Sequence, residues 1–268
     1  MRLLSLSLLA LASLLSVSSA ADKSNYTLFN PVPEAKMRDL DTDRPDKTNS
    51  AITLDAGHVQ IESDLMNYTR EGHGVGKQEA WLWGNTNFRL GLCNRTDLQI
   101  AVPFVMDDGS TTGIGDLTVA LKANFWGNDG GDSAAGIYAA LSTPTGSSGL
   151  SAGTVQALIS AIYQRSLGSF DAAVNSGVAI AADDEGSSHH TEIVNSISIG
   201  HDLFGPVSGY VEFFSSVPTS HSQDWVGTID AGLLFAVSKN FQIDTGINVG
   251  VTDAADDIQV FLGVSWRL

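Results

Sequence analysis

The chain has little charge, few basic residues and a single cysteine. Charged residues make up 16% of its 268 residues, against about 25% in an average globular protein. Its 14 Lys and Arg face 30 Asp and Glu, which gives a formal net charge of −16. Because phosphate binding needs basic residues, nucleic acid is excluded as a partner. Cys93 has no second cysteine to pair with, which excludes a disulfide-stapled fold.

Long apolar runs are also absent, apart from one at the N-terminus. Residues 3–15 are apolar except for serines, they follow Met1-Arg2, and small residues stand at Ser18 and Ala20. Residues 1–20 are therefore predicted to be a cleaved Sec-type signal peptide. The alternative, a membrane anchor, is disfavoured because the run is shorter than the roughly 20 residues of a spanning helix.

What the chain has instead is alternation of apolar and other residues, as in strands with two different faces. In the last segment, Val260, Leu262 and Val264 share one face, and Gln259 and Ser265 lie on the other. Twelve such strands are predicted, from residues 58–68 to residues 256–268. Connections after odd-numbered strands are longer than most of those after even-numbered strands, and this parity is typical of an outer-membrane barrel.

The predicted fold class is therefore all-β, a single antiparallel up-and-down transmembrane β-barrel of about 12 strands over residues 57–268. A segment over residues 21–56 precedes it, either periplasmic or inserted in the lumen. A soluble two-sheet sandwich is the alternative. The tryptophans favour the barrel, because all lie at predicted strand ends, where an interfacial aromatic girdle requires them. The predicted girdle comprises Trp81, Trp83, Trp126, Trp225 and Trp266.

Several short motifs resemble a bacterial family of outer-membrane proteins named for the meta-pathway of phenol degradation. They are Asp43-Arg44-Pro45-Asp46, Gly57-His58-Val59-Gln60-Ile61-Glu62, Gly113-Ile114-Gly115-Asp116-Leu117 with Lys122, Ser142-Thr143-Pro144-Thr145-Gly146 and Asn175-Ser176-Gly177. The resemblance covers roughly residues 40–268 and implies a barrel that moves small, often aromatic or hydrophobic, compounds. The chain departs from the terminal Phe usual in such barrels, because it ends in Trp266-Arg267-Leu268.

Charged residues predicted to face the lumen are the candidates for a constriction. Opposite charges attract strongly where water is scarce, so they could form a selectivity filter for cations or neutral solutes, or a network that cross-links the wall. The second reading is slightly favoured for a barrel of this size. Arg44, ahead of the first strand, could narrow the pore by pairing with Glu62 or Asp244, or could belong to a structural latch, which is favoured. The candidates are Arg44, Glu62, Asp64, Arg89, Asp116, Lys122, Asp171, Glu212, Asp230, Asp244 and Arg267.

Three loop motifs are assigned no chemistry. Residues 72–77 lack the spacing of a phosphate-binding loop. Residues 183–185 with His189-His190 could bind a divalent metal, but a solvated loop is favoured. His221-Ser222 lacks the oriented third group that a hydrolase needs. No catalytic residue, metal or cofactor is therefore predicted.

The predicted function is an outer-membrane channel for small, aromatic or hydrophobic compounds. A structural or interaction barrel with a closed lumen is the alternative, and a barrel hydrolase is a third. The expected partners are outer-membrane lipid, a small-molecule solute and the barrel-assembly machinery. Monomeric and oligomeric forms both stay open.

Heating should reveal a closed barrel. In gel electrophoresis, the protein is expected to migrate differently before and after boiling, because a closed membrane barrel resists unfolding in detergent at room temperature. A soluble sandwich should migrate identically in both lanes, and that result would contradict the fold.

Overall fold

The computed structural model describes residues 22–72, 76–183, 188–220 and 223–268, and the predicted signal peptide lies outside these ranges. In the described part, one short 3₁₀ helix, Glu34–Lys36, precedes the strands. The strands are β1 Val59–Glu71, β2 Gln78–Cys93, β3 Thr96–Asp107, β4 Thr112–Gly113, β5 Leu117–Trp126, β6 Ser133–Thr143, β7 Gln156–Leu167, β8 Phe170–Ala182, β9 His189–Phe204, β10 Val207–Pro218, β11 Val226–Ser238, β12 Phe241–Gly250 and β13 Ile258–Arg267.

The long strands form a closed antiparallel ring. Each pairs with its neighbours in sequence, β3 pairs with β5, and β4 is a two-residue extension on β3. Closure comes from β1, which pairs with β2 on one side and with β13 on the other. The prediction of an antiparallel barrel of twelve long strands is confirmed. A closed ring leaves no strand edge with unpaired backbone groups, which is the condition for a sheet to cross hydrocarbon.

The two ends of the barrel differ in their connections, as predicted. At one end, connections such as 94–95, 168–169 and 239–240 are tight turns. At the other end, connections such as 144–155 and 251–257 are longer. In outer-membrane barrels the short turns are periplasmic and the long loops are external, and we name the two ends accordingly.

The outer wall is apolar and exposed. Along most strands, large hydrophobic side chains open to the surroundings recur at alternate positions, for example Leu121, Ile159 and Ile197. A water-soluble protein would not expose so continuous an apolar surface to solvent. The tryptophans lie on this wall, with Trp81, Trp83 and Trp225 toward the external end and Trp126 and Trp266 toward the periplasmic end.

The inner wall is polar and buried, so the molecule is inverted relative to a water-soluble domain. The least exposed large side chains include Arg89, Lys122 and Glu62. The buried apolar cluster is small and consists of Ala51, Ala134 and Ile162. Internal hydrogen bonds and ion pairs, rather than apolar packing, therefore fill the lumen.

Residues 38–56, the lumen segment, run inside the barrel. Asn175 donates from Nδ2 to the carbonyl of Asn49 at 3.0 Å, and Asn124 donates to the carbonyl of Ala51 at 2.8 Å. Near the periplasmic end, the wall makes room for this backbone at Gly91, because a Cβ there would overlap the carbonyl of Asp55. Inward-facing side chains thus take the place of water as partners for the segment.

Within the described ranges, the structure contains no helix with the length and hydropathy that crossing a membrane requires.

A charge on the outer wall should destabilise the barrel. Leu121, midway along β5, is 49% exposed on the outer wall. Leu121→Arg is expected to lower the free energy of unfolding in lipid vesicles by roughly 2–4 kcal/mol, measured by urea titration of tryptophan fluorescence. Ile114→Arg, at an exposed external position, is the matched control. Equal effects of the two substitutions would contradict a lipid-facing Leu121.

Candidate functional site

The first ion cluster in the lumen centres on Arg89 of β2. Its guanidinium lies 2.9 Å from Glu62 Oε1, 3.0 Å from Asp97 Oδ2 and 3.4 Å from Asp43 Oδ2. Lys122 of β5 forms an ion pair with Asp43, so the lumen segment is held between two cationic side chains of the wall. All five side chains are almost fully buried.

The second cluster reverses the arrangement, because here the cation belongs to the lumen segment. Arg44 donates from Nη1 to Asp64 Oδ1 and from Nη2 to Asp244 Oδ1, both at 2.7 Å. Asp244 is one of the two partners considered for Arg44 from the sequence. The guanidinium fits because position 263 is glycine, and a Cβ there would overlap it. The ring of Phe261 lies 5.7 Å from Arg44 Cζ, a cation–π distance.

The third cluster also joins the segment to the wall. Lys47 Nζ lies 3.0 Å from Asp230 Oδ2, and its backbone N–H donates to Glu212 Oε2 at 2.9 Å. The hydroxyl of Thr48 donates to Glu212 and lies 2.8 Å from the hydroxyl of Ser196, from which it can accept. Together the three clusters form a layer across the lumen, which we name the ion-pair layer.

Burial sets the energetics of this layer. Removing a charged group from water costs several kcal/mol, and an ion partner repays the cost only with good geometry and further hydrogen bonds. Arg89 has such support, because it also donates to the carbonyls of Asp41 and Ile52. Removing one partner would leave a buried charge uncompensated, so the loss of any single ion-pair partner is expected to destabilise the barrel.

Three of the sequence-predicted candidates, Asp116, Asp171 and Arg267, do not join the ion-pair layer. Asp116 accepts hydrogen bonds from the backbone N–H groups of Gly146 at 2.8 Å and Ala152 at 2.9 Å, so its carboxylate orders an external loop instead of the constriction. Burial of the carboxyl group acts to raise the pKa of Asp116, but together these hydrogen bonds outweigh it, so that the pKa is lowered overall. Asp171 lies near a periplasmic turn and accepts from Ser166 at 2.6 Å.

Arg267 faces the lumen segment but has a different role from an ion-pair partner. It donates to the carbonyl of Arg38 and to Asn240 Oδ1, each at 2.8 Å. It thereby fastens the start of the lumen segment to the last periplasmic turn. The other eight candidates, Arg44, Glu62, Asp64, Arg89, Lys122, Glu212, Asp230 and Asp244, lie in the ion-pair layer.

Sequence reasoning missed three members of the layer. Asp97 lies on the inner face of β3 in alternation with Leu98, so the period of the strand could have identified it. Asp43 and Lys47 belong to the lumen segment, which has no period. Nothing in the sequence pattern shows which wall residues they meet.

The external loops hold the remaining motifs. His190 lies 2.7 Å from Asp183 Oδ1 and 2.9 Å from Glu192 Oε1, which partner it within the protein. Residues 184–185 and His221-Ser222 lie outside the described residues. In the described part of the chain, no group of His, Cys, Asp and Glu side chains has metal-binding geometry.

Two cavities open on the periplasmic side of the layer. The larger, of about 630 Å³, lies between the start of the lumen segment and the turn at 127–133. The smaller, of about 370 Å³, reaches inward to Arg44, Asp46 and Tyr210. Both are lined by Leu40, Asp41, Gln164 and Asp171, so they adjoin. Space for solute therefore extends from the periplasmic mouth to the ion-pair layer.

A closed ring of twelve long strands, apolar outside and polar inside, defines an outer-membrane β-barrel. The chain belongs to the family described as "Putative MetA-pathway of phenol degradation", whose model matches residues 42–268. The resemblance found in the sequence is thus confirmed, and the match includes most of the lumen segment as well as the strands.

The chain is similar to solved structures of outer-membrane proteins, and the first of those given next shows the same fold. An outer-membrane channel from Pseudomonas putida F1 superposes with a TM-score of 0.60 at 15% identity, covering 85% of this chain and 100% of that one. A loop-deletion mutant of the Vibrio cholerae outer-membrane protein OmpT gives a TM-score of 0.42 at 7% identity, covering 78% and 98%. No curated protein matches the chain significantly.

Two carboxyl groups of the lumen segment, those of Asp41 and Asp46, make the stability of the fold depend on pH. Burial raises the pKa of Asp46 to about 7; the carboxylates of Asp43 and Asp41 add to the rise, and a hydrogen bond with Ser198 opposes it. Burial likewise raises the pKa of Asp41 to about 6, against the attraction of Lys122. Both groups bind protons more tightly in the folded protein than in an unfolded chain.

Asp46→Asn should therefore flatten the pH dependence of stability. An unfolded aspartate titrates near 3.9, so folded wild type loses stability as the pH rises from about 4 to about 7, by a few kcal/mol at most. Asparagine stays neutral and avoids this loss. Urea midpoints in detergent at about pH 5 and about pH 8 measure the effect, with Asp22→Asn, at a fully exposed position, as control. An equal change of the urea midpoint with pH in wild type and Asp46→Asn would contradict this role of Asp46.

Proposed function

We propose that the protein is an outer-membrane channel in which the lumen segment, residues 38–56, forms the constriction. The observation that carries the proposal is the position of the ion-pair layer, with adjoining periplasmic cavities on one side and the external mouth on the other. The segment is joined to the wall there through side chains. A solute crosses when the side chains of this layer move apart.

The charges in the layer favour cations and neutral solutes. Asp230 and Glu212 both bind Lys47, and Asp64 and Asp244 share the single cation of Arg44. A lumen lined by surplus carboxylates repels anions, as carboxylate rings do in cation channels. Solutes carrying several negative charges are therefore expected to pass poorly.

For the solute we propose small aromatic or hydrophobic compounds. The family is described by a phenol-degradation pathway, and the Pseudomonas putida structure is described as an outer-membrane channel. Diffusion down a gradient needs no cofactor and no catalytic residue, so we assign the protein no enzymatic activity. Outer-membrane lipid covers its apolar wall, and the barrel-assembly machinery inserts it.

A structural barrel with a closed lumen is the second candidate. It is favoured by the burial of Arg89 and its partners, which are at most 6% exposed. In that case the ion pairs serve stability, and their loss would unfold the protein without opening a path. The two candidates therefore predict different results for one substitution.

Arg44→Ala is the deciding variant. It removes the cation that bridges Asp64 and Asp244 and leaves two facing carboxylates at the constriction. In planar bilayers the channel model predicts a single-channel conductance about twofold higher or more, with a reversal potential shifted toward cation selectivity. Arg95→Ala, which removes the same charge at an exposed periplasmic turn, is the matched control.

The closed-barrel model predicts the opposite pattern. Arg44→Ala would then lower the urea midpoint while conductance stayed absent in both wild type and variant. Unchanged conductance in a folded, open wild-type channel would show that Arg44 is not at the constriction.

A further inference from the structure

A small pocket of about 140 Å³ lies inside the barrel at its external end, apart from the ion-pair layer. Its walls come mostly from the inner faces of β1, β2, β3 and β13, and Leu150 of the external loop 144–155 also lines it. We name it the outer pocket and define it by Asn67, Leu82, Met106, Leu150 and Gln259.

The pocket exists because the first strands change their inward-facing series. The pairing of β1 with β13 shifts between Asp64 and Met66, so the inward residues of β1 change from even to odd numbers. As a result Asn67 faces inward. On β2, Gly84 has a φ of +67° at the same height, and Leu82 lies opposite Asn67 beyond it.

The lining of the pocket is unusual in this lumen. Leu82, Met106 and Leu150 present apolar surface, and Asp107 and Asp108 are the charged residues that line the pocket. Elsewhere in the lumen, most inward side chains are polar or charged. A methionine sulfur also makes favourable contacts with the edges of aromatic rings. Such a site selects for a solute that is largely apolar.

One polar group in the pocket lacks a partner. Asn67 is only 9% exposed, and its side-chain amide has no hydrogen-bond partner in the described part of the chain. The neighbouring Gln259, by contrast, donates to Thr69 Oγ1 and accepts from Asn248. The amide of Asn67 is therefore free to donate to or accept from a polar group that enters the pocket.

The volume of the outer pocket limits the size of the molecule that can bind in it. A protein cavity of about 150 Å³ with apolar walls binds benzene, so the outer pocket accommodates one six-membered ring and not two. We propose that the outer pocket binds a neutral solute of one ring, which packs against Leu82, Met106 and Leu150 and hydrogen-bonds to Asn67 through a single polar substituent. The proposal rests on the proposed function, since it makes the pocket the first binding site on the solute's path.

The test measures equilibrium binding, not transport. The full chain in detergent is titrated with phenol, with benzene, which lacks the polar group, and with 1-naphthol, which has a second ring. Isothermal titration and saturation-transfer NMR report the affinity. Phenol is expected to bind at one saturable site, benzene more weakly, and 1-naphthol without saturation.

Two substitutions connect this binding to the pocket. Asn67→Leu should weaken the binding of phenol roughly fivefold, which corresponds to the loss of one neutral hydrogen bond. The affinity for benzene should stay unchanged. Leu82→Trp should fill the pocket and abolish binding of both. Leu121→Trp, the same exchange on the outer wall, should change neither. The shift in gel migration on boiling verifies that each variant is folded.

The results separate this proposal from the channel proposal. Absence of saturable phenol binding, or equal phenol affinity in wild type and Asn67→Leu, overturns the outer pocket even if the protein conducts. Phenol binding that depends on Asn67, in a protein without conductance, supports the pocket and contradicts the channel.

Discussion

Backbone hydrogen bonding in the absence of water is the constraint on which this structure depends. Within hydrocarbon an unpaired N–H or C=O group costs several kcal/mol, so the sheet has to close. The pairing of β1 with β13 achieves this closure. Once the ring is closed, each strand has one face toward lipid and one toward the lumen, and the two-residue period of the sequence follows from that division.

Closure leaves a space with charged walls inside the ring, and the lumen segment fills it. A ring of twelve long strands encloses a space that small inward side chains do not fill, and its inner wall carries charges such as Arg89 and Glu62. The segment supplies carboxylates to the cations of the wall and cations to its carboxylates, as Asp43 and Arg44 show. The same side chains that stabilise the lumen thus also determine where it is narrowest.

The sequence predicts most of the barrel because lipid imposes its pattern locally. Each strand meets the same two environments, so alternation, loop parity and the placement of the tryptophans could be found without a structure. The membership of Glu62, Arg89 and Asp244 in the inner face follows from the same period. Asp97 could have been found in this way as well.

The partners of those residues could not be predicted, for a physical reason. Which inward side chains meet depends on strand register around the whole ring and on a segment without a period, so the ion pairs of Lys47 and Asp43 have no local signal. Asp116 illustrates the converse. It continues the inward series of β5 in sequence, but the strand begins at Leu117, and free backbone N–H groups of a nearby loop bind its carboxylate.

The path of the lumen segment also bears on how the molecule matures. The segment precedes β1 in the chain, yet its partners come from β1, β2, β3, β5 and every strand from β7 to β13. A part of the chain that is made before any strand is therefore the last to acquire all its contacts. Its docking marks the completion of the barrel, because a ring lacking any of these strands would leave part of the segment without partners.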